Sequence, residues 1–140
     1  MFTGNTLTTS FKRELLQGVH DFATHTFKIA LYGDAATLNA QTSSYVADNE
    51  VVGAGYTAGG KDLEVIGLGS DGATAVVSFA NVVWTDASFT ARGALVYNSS
   101  ASGSPAVVVL DFGANKVGVG TSFTVEFPGA TATAAVVRIV

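Results

Sequence analysis

The spacing of apolar residues in this chain changes period once, near residue 25. Before that point Phe11, Leu15, Val19 and Phe22 recur at three- and four-residue steps, and Leu16 widens the stripe. That is the pattern of an amphipathic helix, predicted over about residues 10–22. Thr9 or Ser10 can cap its start by accepting a backbone N–H. A full capping box is missing, because Arg13 stands where Glu or Gln would reach back. Gly18 lies within the span and costs about 1 kcal/mol relative to alanine. Tertiary packing must therefore hold the segment.

From residue 26 onward the period becomes two. "TFKIALY" alternates Phe27, Ile29 and Leu31 on one face. After a long connection over 33–50 come "DLEVIGL", "TAVVSFANVVW", "RGALVYN", "PAVVVLDF", "SFTVEF" and "TAAVVRIV". Turn signals separate them at "GSDG" (69–72), "NSSASGSP" (98–105) and "PGAT" (128–131). About seven or eight short strands at near-regular spacing predict a mainly β fold, a single antiparallel β-sandwich or barrel with one N-terminal helix. Several strands carry Val or Ala at nearly every position, which suits strands covered on both faces. Residues 1–9, polar apart from Met1, Phe2 and Leu7, read as an extended arm or a frayed terminus. Residues 10–140 read as one β-rich domain without an internal repeat.

Composition sharpens this picture. Of 140 residues, 48% are hydrophobic and only 13% charged, about half the usual charged share. Such a chain leaves part of its surface apolar or merely Thr-, Ser- and Gly-covered, as suits a protein that lives in an assembly. No apolar run approaches the ~20 residues of a spanning helix, and "MFTGNTLTTS" lacks the basic start and apolar block of a secretory leader. The expectation is no membrane association. Seven basic residues, scattered in a chain of net charge −4, do not supply the cluster that nucleic acid requires. Cysteine is absent, which removes disulfides, thiolate metal sites and cysteine nucleophiles together.

The candidate chemistry is thin. "GYTAGGKD" offers Gly55, four residues, Gly60 and Lys61, the spacing of a phosphate loop. Asp62, however, occupies the hydroxyl position, and "DLEVIGLG" reads as strand where a helix should follow. "GAGYTAGG" also breaks the dinucleotide pattern, with three residues between Gly55 and Gly59. His20 and His25, five apart beside Asp21, lack the spacing of a helical zinc pair. A structural or solvated role fits them better, with His25 a favourable cation near the helix C-terminus. No serine lies in G-x-S-x-G, and no calcium loop appears. The carboxylates Asp48, Glu50, Asp62, Glu64, Asp71, Asp86 and Asp111 fall in loops or at strand ends. The sequence thus predicts no catalytic residue, metal site or cofactor, and no enzyme. Phe79, Trp84, Phe89 and Tyr97 fit a cross-strand core cluster better than a carbohydrate-stacking platform.

Three stretches taken together carry a resemblance. "SFKRELLQGVHDFATHTFKIALYGDAATLNAQTSSY", "NEVVGAGYTAGGK" and "FANVVWTDASFTARGALVYN", spanning roughly residues 8 to 100, resemble a family of small virion structural proteins of tailed bacteriophages and prophages. The resemblance implies a capsid decoration (cement) protein or a tail or head–tail component, assembled in the bacterial host cytoplasm and resident in the virion. It implies homo-oligomeric contacts and binding to the major capsid protein or other virion proteins, without a cofactor. An N-terminal arm could then reach a neighbour by strand addition, anchored by Phe2 and Leu7. Tyr56, Lys61 and Asp62 are the further interface candidates, the last two as surface groups facing another subunit. A receptor- or carbohydrate-binding fibre tip is the rival, and it predicts an exposed aromatic row near Tyr45, Tyr56 or Trp84.

Overall fold

A computed structural model of the chain describes residue 2 and residues 4–140; Met1 and Thr3, part of the predicted arm, lie outside the described residues. Eight strands and one helix follow in the order β1 (Thr6–Leu7), α1 (Thr9–Leu16), β2 (Phe27–Tyr32), β3 (Lys61–Asp62), β4 (Val65–Asp71), β5 (Thr74–Phe79), β6 (Val82–Asn98), β7 (Ala106–Val125) and β8 (Val137–Ile139). They form two antiparallel sheets, one ordered β1-β7-β6-β2-β3 and the other β4-β5-β8. The main core lies between them, as in a β-sandwich. Phe27, Ile29 and Leu31 of the large sheet meet Val77 and Phe79 of β5 and Val137 of β8.

β2 is buried on both faces. Ala30 and Tyr32 point the other way, into a second core with Leu95, Tyr97, Val109, Leu38 and Phe2. The long connection after β2 covers that outer face of the sheet, which explains why the middle of β2 reads as an almost unbroken apolar run.

The helix is shorter than its apolar stripe predicts. Its N-cap is Thr8, one residue earlier than expected, whose side-chain oxygen accepts from the Phe11 N–H at 3.2 Å. It ends at Leu16 because Gly18 adopts φ +72°. There Gly18 N–H bonds the Leu15 carbonyl and Val19 N–H the Glu14 carbonyl, which is a Schellman closure. Gly18 therefore stops the helix instead of weakening its middle. Only Phe11 is fully buried from the helical stripe, whereas Leu16 is 91% exposed. Phe22 keeps its core role from outside the helix, stacking on Phe27 with ring centroids 4.4 Å apart.

The three predicted turns all mark connections between strands, but the strand segments divide differently from the prediction. "PAVVVLDF" and "SFTVEF" are not two strands but parts of the 20-residue β7, while "TAVVSFANVVW" divides at Ala80–Asn81. The chain bends through bulges where the sequence suggests loops. Between the pairs Ala91–Lys116 and Gly93–Asp111, β6 advances two residues and β7 five. Between Ala87–Thr121 and Ser88–Val119, β7 accommodates an extra Gly120 at φ +61°. On β6 the compensating bulge lies at Asp86, φ +50°. Such insertions curl a ribbon without ending its pairing.

Candidate interaction surface

The glycine-rich stretch seals one edge of the large sheet. Beside β2 the outer backbone groups are met by Gly33 N–H on Asn49 O, Val51 N–H on Leu31 O and Leu63 N–H on Phe27 O. The Leu31 N–H donates instead to the Tyr56 hydroxyl, 3.0 Å away. The stretch lies so close that side chains would not fit. A Cβ on Gly60 would fall 1.7 Å from the Ile29 carbonyl oxygen, and one on Gly53 2.6 Å from that of Ser88. Tight approach to strand backbones, not phosphate binding, is what these glycines allow.

Glu50 organises the seal. Its carboxylate accepts from the hydroxyls of Tyr45 (2.5 Å) and Tyr56 and from the Gly59 N–H (2.7 Å). Tyr97 donates to the Gly59 carbonyl at 2.6 Å and Tyr32 to that of Val46 at 2.7 Å. All four tyrosines of the chain thus converge on one loop. Burial, followed by the Glu50 charge, pushes the Tyr97 phenol up to about 12. Burial raises Tyr32, Tyr45 and Tyr56 as well, each with Glu50 reinforcing it.

The predicted interface residues separate on this frame. Tyr56 is half-buried, stacked near Trp84 and committed to the seal. Lys61 and Asp62 form β3 and are exposed. Lys61 nevertheless donates to the Val83 carbonyl at 2.6 Å with its ammonium over the Trp84 ring, and Asp62 pairs with Lys28 at 3.1 Å. Phe2 does not project toward a neighbour. It is 6% exposed, bridges to Leu38, and lies under the Arg92 guanidinium. Arg92 also pairs with Asp111, whose carboxylate accepts the Gly4 and Gly113 N–H groups. That pairing with Arg92, then the Gly113 N–H, holds the Asp111 carboxyl below its ordinary range. Leu7 is half-buried in β1, paired to Val108. The described residues that precede the helix are therefore folded onto their own sheet, and the first strand comes before residue 26.

Trp84 is 1% exposed and belongs to the core, so it offers no stacking platform. The histidines are also engaged internally. Asn98, fully buried, turns its amide nitrogen to Nδ1 of both His20 (3.0 Å) and His25 (2.9 Å), and His20 Nε2 meets Glu14 at 3.0 Å. With the helix ending at Leu16, His25 lies too far beyond it to act on its dipole. Among the described residues no group of three or more His, Asp or Glu is placed to hold a metal ion, and no helix is long and apolar enough to cross a membrane.

The opposite edge of the large sheet is left open, which residue spacing did not reveal. Among the described residues β1 covers β7 at Val108 and Val109, and Asn5 adds one bond to the Asp111 N–H. Beyond that, among the described residues, β7 pairs with β6 alone as far as Val125. Along this run Val117 is 64% and Val119 77% exposed, and from Gly113 to Val125 the single charge is Lys116. β7 also curls on itself, with the Phe112 and Phe123 rings 6.3 Å apart, and a trough of about 430 Å³ lies in the bend, lined by Leu110, Phe112, Phe123 and Val125 with Lys116 and Glu126. A long unpaired edge of this kind is a template for another strand. No known family model matches the chain, and no curated protein or solved structure does either.

Proposed function

We propose that this protein is a virion structural protein of a tailed bacteriophage or prophage, and most concretely a capsid decoration protein that binds the major capsid protein and stabilises the shell. One geometric feature supports the assembly part of this reading: the two edges of the large sheet are treated oppositely. The β2 edge is closed by a tyrosine-bolted loop, while the β7 edge is long, sparsely charged and apolar. A part that must join others in one direction needs one closed side and one open side.

The virion part rests on the resemblance. Two of the three resembling stretches build this arrangement: "NEVVGAGYTAGGK" is the seal, and "FANVVWTDASFTARGALVYN" runs along β6 behind the open edge. In the shell, such a protein acts by mass action, adding contacts that exist only between assembled subunits. The test is its copy number in purified particles, measured by quantitative mass spectrometry. On the order of hundreds of copies, following shell symmetry, is the expected result. About a dozen or fewer per particle would replace this reading with a tail, fibre or head–tail connector component.

A further inference from the structure

We infer that Asn98, His20 and His25 form a clasp that protons release, uncovering an aromatic surface in mild acid. The inference stands apart from the virion reading and needs no partner. Asn98 is fully buried, and its carbonyl oxygen accepts the Ser100 and Ala101 N–H groups at 2.9 and 3.2 Å. Its amide nitrogen therefore donates, one hydrogen to Nδ1 of His20 and one to Nδ1 of His25. His25 Nδ1 also accepts the Asp21 N–H at 3.2 Å, and His20 presents its Nε2 to Glu14. Both rings are thus held with Nδ1 as an acceptor.

A second proton turns Nδ1 into a donor and sets N–H against N–H. Turning the Asn98 amide over does not relieve this, since its nitrogen would then face the Ser100 and Ala101 N–H groups. The ionisable groups beside the rings are Glu14 from α1 and Asp21 from the connecting segment, while β2 and β6 contribute Phe27 and Asn98. Both carboxylates attract a charged ring, but neither relieves Nδ1. Glu14 meets His20 at Nε2, and the Asp21 carboxylate is taken up by the Ala23 N–H and the Thr24 hydroxyl. The closed clasp therefore binds fewer protons than the open one, and opening grows as pH falls. Ser99 N–H on the Thr26 carbonyl (3.0 Å) and Thr26 N–H on Ser100 Oγ (2.7 Å) tie the two segments together. Residues 17–26 and 99–104 consequently open as one. Phe22 leaves with them, and its ring partners Phe27 and Phe11, both fully buried, lose their cover.

Hydrogen exchange of the full chain tests this, read by mass spectrometry from about pH 8 to about pH 5 and corrected for the intrinsic rate. Protection over residues 17–26 and 99–104 should fall by about tenfold per pH unit for each ring that must charge. The β6–β7 ladder should stay protected while an apolar dye begins to bind. His25→Gln keeps an acceptor for Asn98 and removes one titrating ring, so its slope should drop to that of a single proton. Asn98→Asp places a carboxylate where protonated rings can donate, and should reverse the sign, holding both segments more firmly as pH falls. If that variant does not fold, the His25→Gln slope remains decisive. Protection unchanged down to about pH 5 overturns the inference. So does a slope that His25→Gln leaves unaltered, a folded Asn98→Asp chain that responds as the native one does, or loss of protection across the whole chain in one step.

Discussion

Glycine carries two different meanings in this chain, and contact distance separates them. Gly60 and Gly103 share φ +81°, but a side chain on Gly60 would enter the Ile29 backbone, whereas nothing lies within 4 Å of Gly103. Gly60→Ala should cost more than about 4 kcal/mol or abolish folding, because backbone must move. Gly103→Ala should cost about 1 kcal/mol of left-handed strain alone. Urea denaturation of the two variants checks this, and equal losses would mean that the seal is looser than described. Asn98 permits a second prediction at the same scale. Its carbonyl oxygen accepts the Ser100 and Ala101 N–H groups, so its amide must donate toward both imidazoles. Near neutral pH, nitrogen NMR should find Nδ1 unprotonated and Nε2 carrying the proton in His20 and His25. A Nδ1–H signal from either ring would contradict the network. The pair of histidines was visible in the sequence, but their shared partner, 78 and 73 residues away, was not.

Among the elements, α1 shows how local chemistry outweighs a periodic pattern. The apolar stripe continues to Phe22, but a glycine in the left-handed region terminates hydrogen bonding wherever it falls. Thr8 holds the other end and also donates to the Ala106 carbonyl at 3.3 Å. Thr8→Ala should therefore lower stability by about 1–2 kcal/mol, and Thr8→Ser by clearly less, because serine keeps the capping oxygen. Thermal unfolding followed by circular dichroism distinguishes them; identical losses would assign the effect to packing. The β6–β7 hairpin teaches the converse. Asp86 and Gly120 look like loop residues, yet long-range pairing absorbs them as bulges and the strands run on.

The whole molecule is held at its sealed edge by phenols that resist ionisation. Unfolded tyrosines lose their protons near pH 10, while in the folded chain Tyr97 does so at about 12 and the other three are also raised. The folded state retains protons that the unfolded chain releases, so this stability is complete below about pH 10 and falls as pH rises toward and through about 12. Phenolate absorbance should consequently appear together with the loss of near-ultraviolet dichroism, in one cooperative step. Gradual ionisation around pH 10 in a chain that remains folded would show the cluster to be open to solvent. Periodicity, turn residues and low charge were enough by themselves to determine a mainly β domain with one short helix near its start, because these depend on neighbours along the chain. The core place of Trp84 was legible as well, whereas which strands merged, where the helix ended, and that Phe2 turns inward were decided only in three dimensions. The same holds for the two edges: "GAGYTAGGK" and "NKVGVGTSF" look alike as glycine-rich polar text. One became a seal and the other an open strand because only tertiary packing sets which backbone lies opposite each.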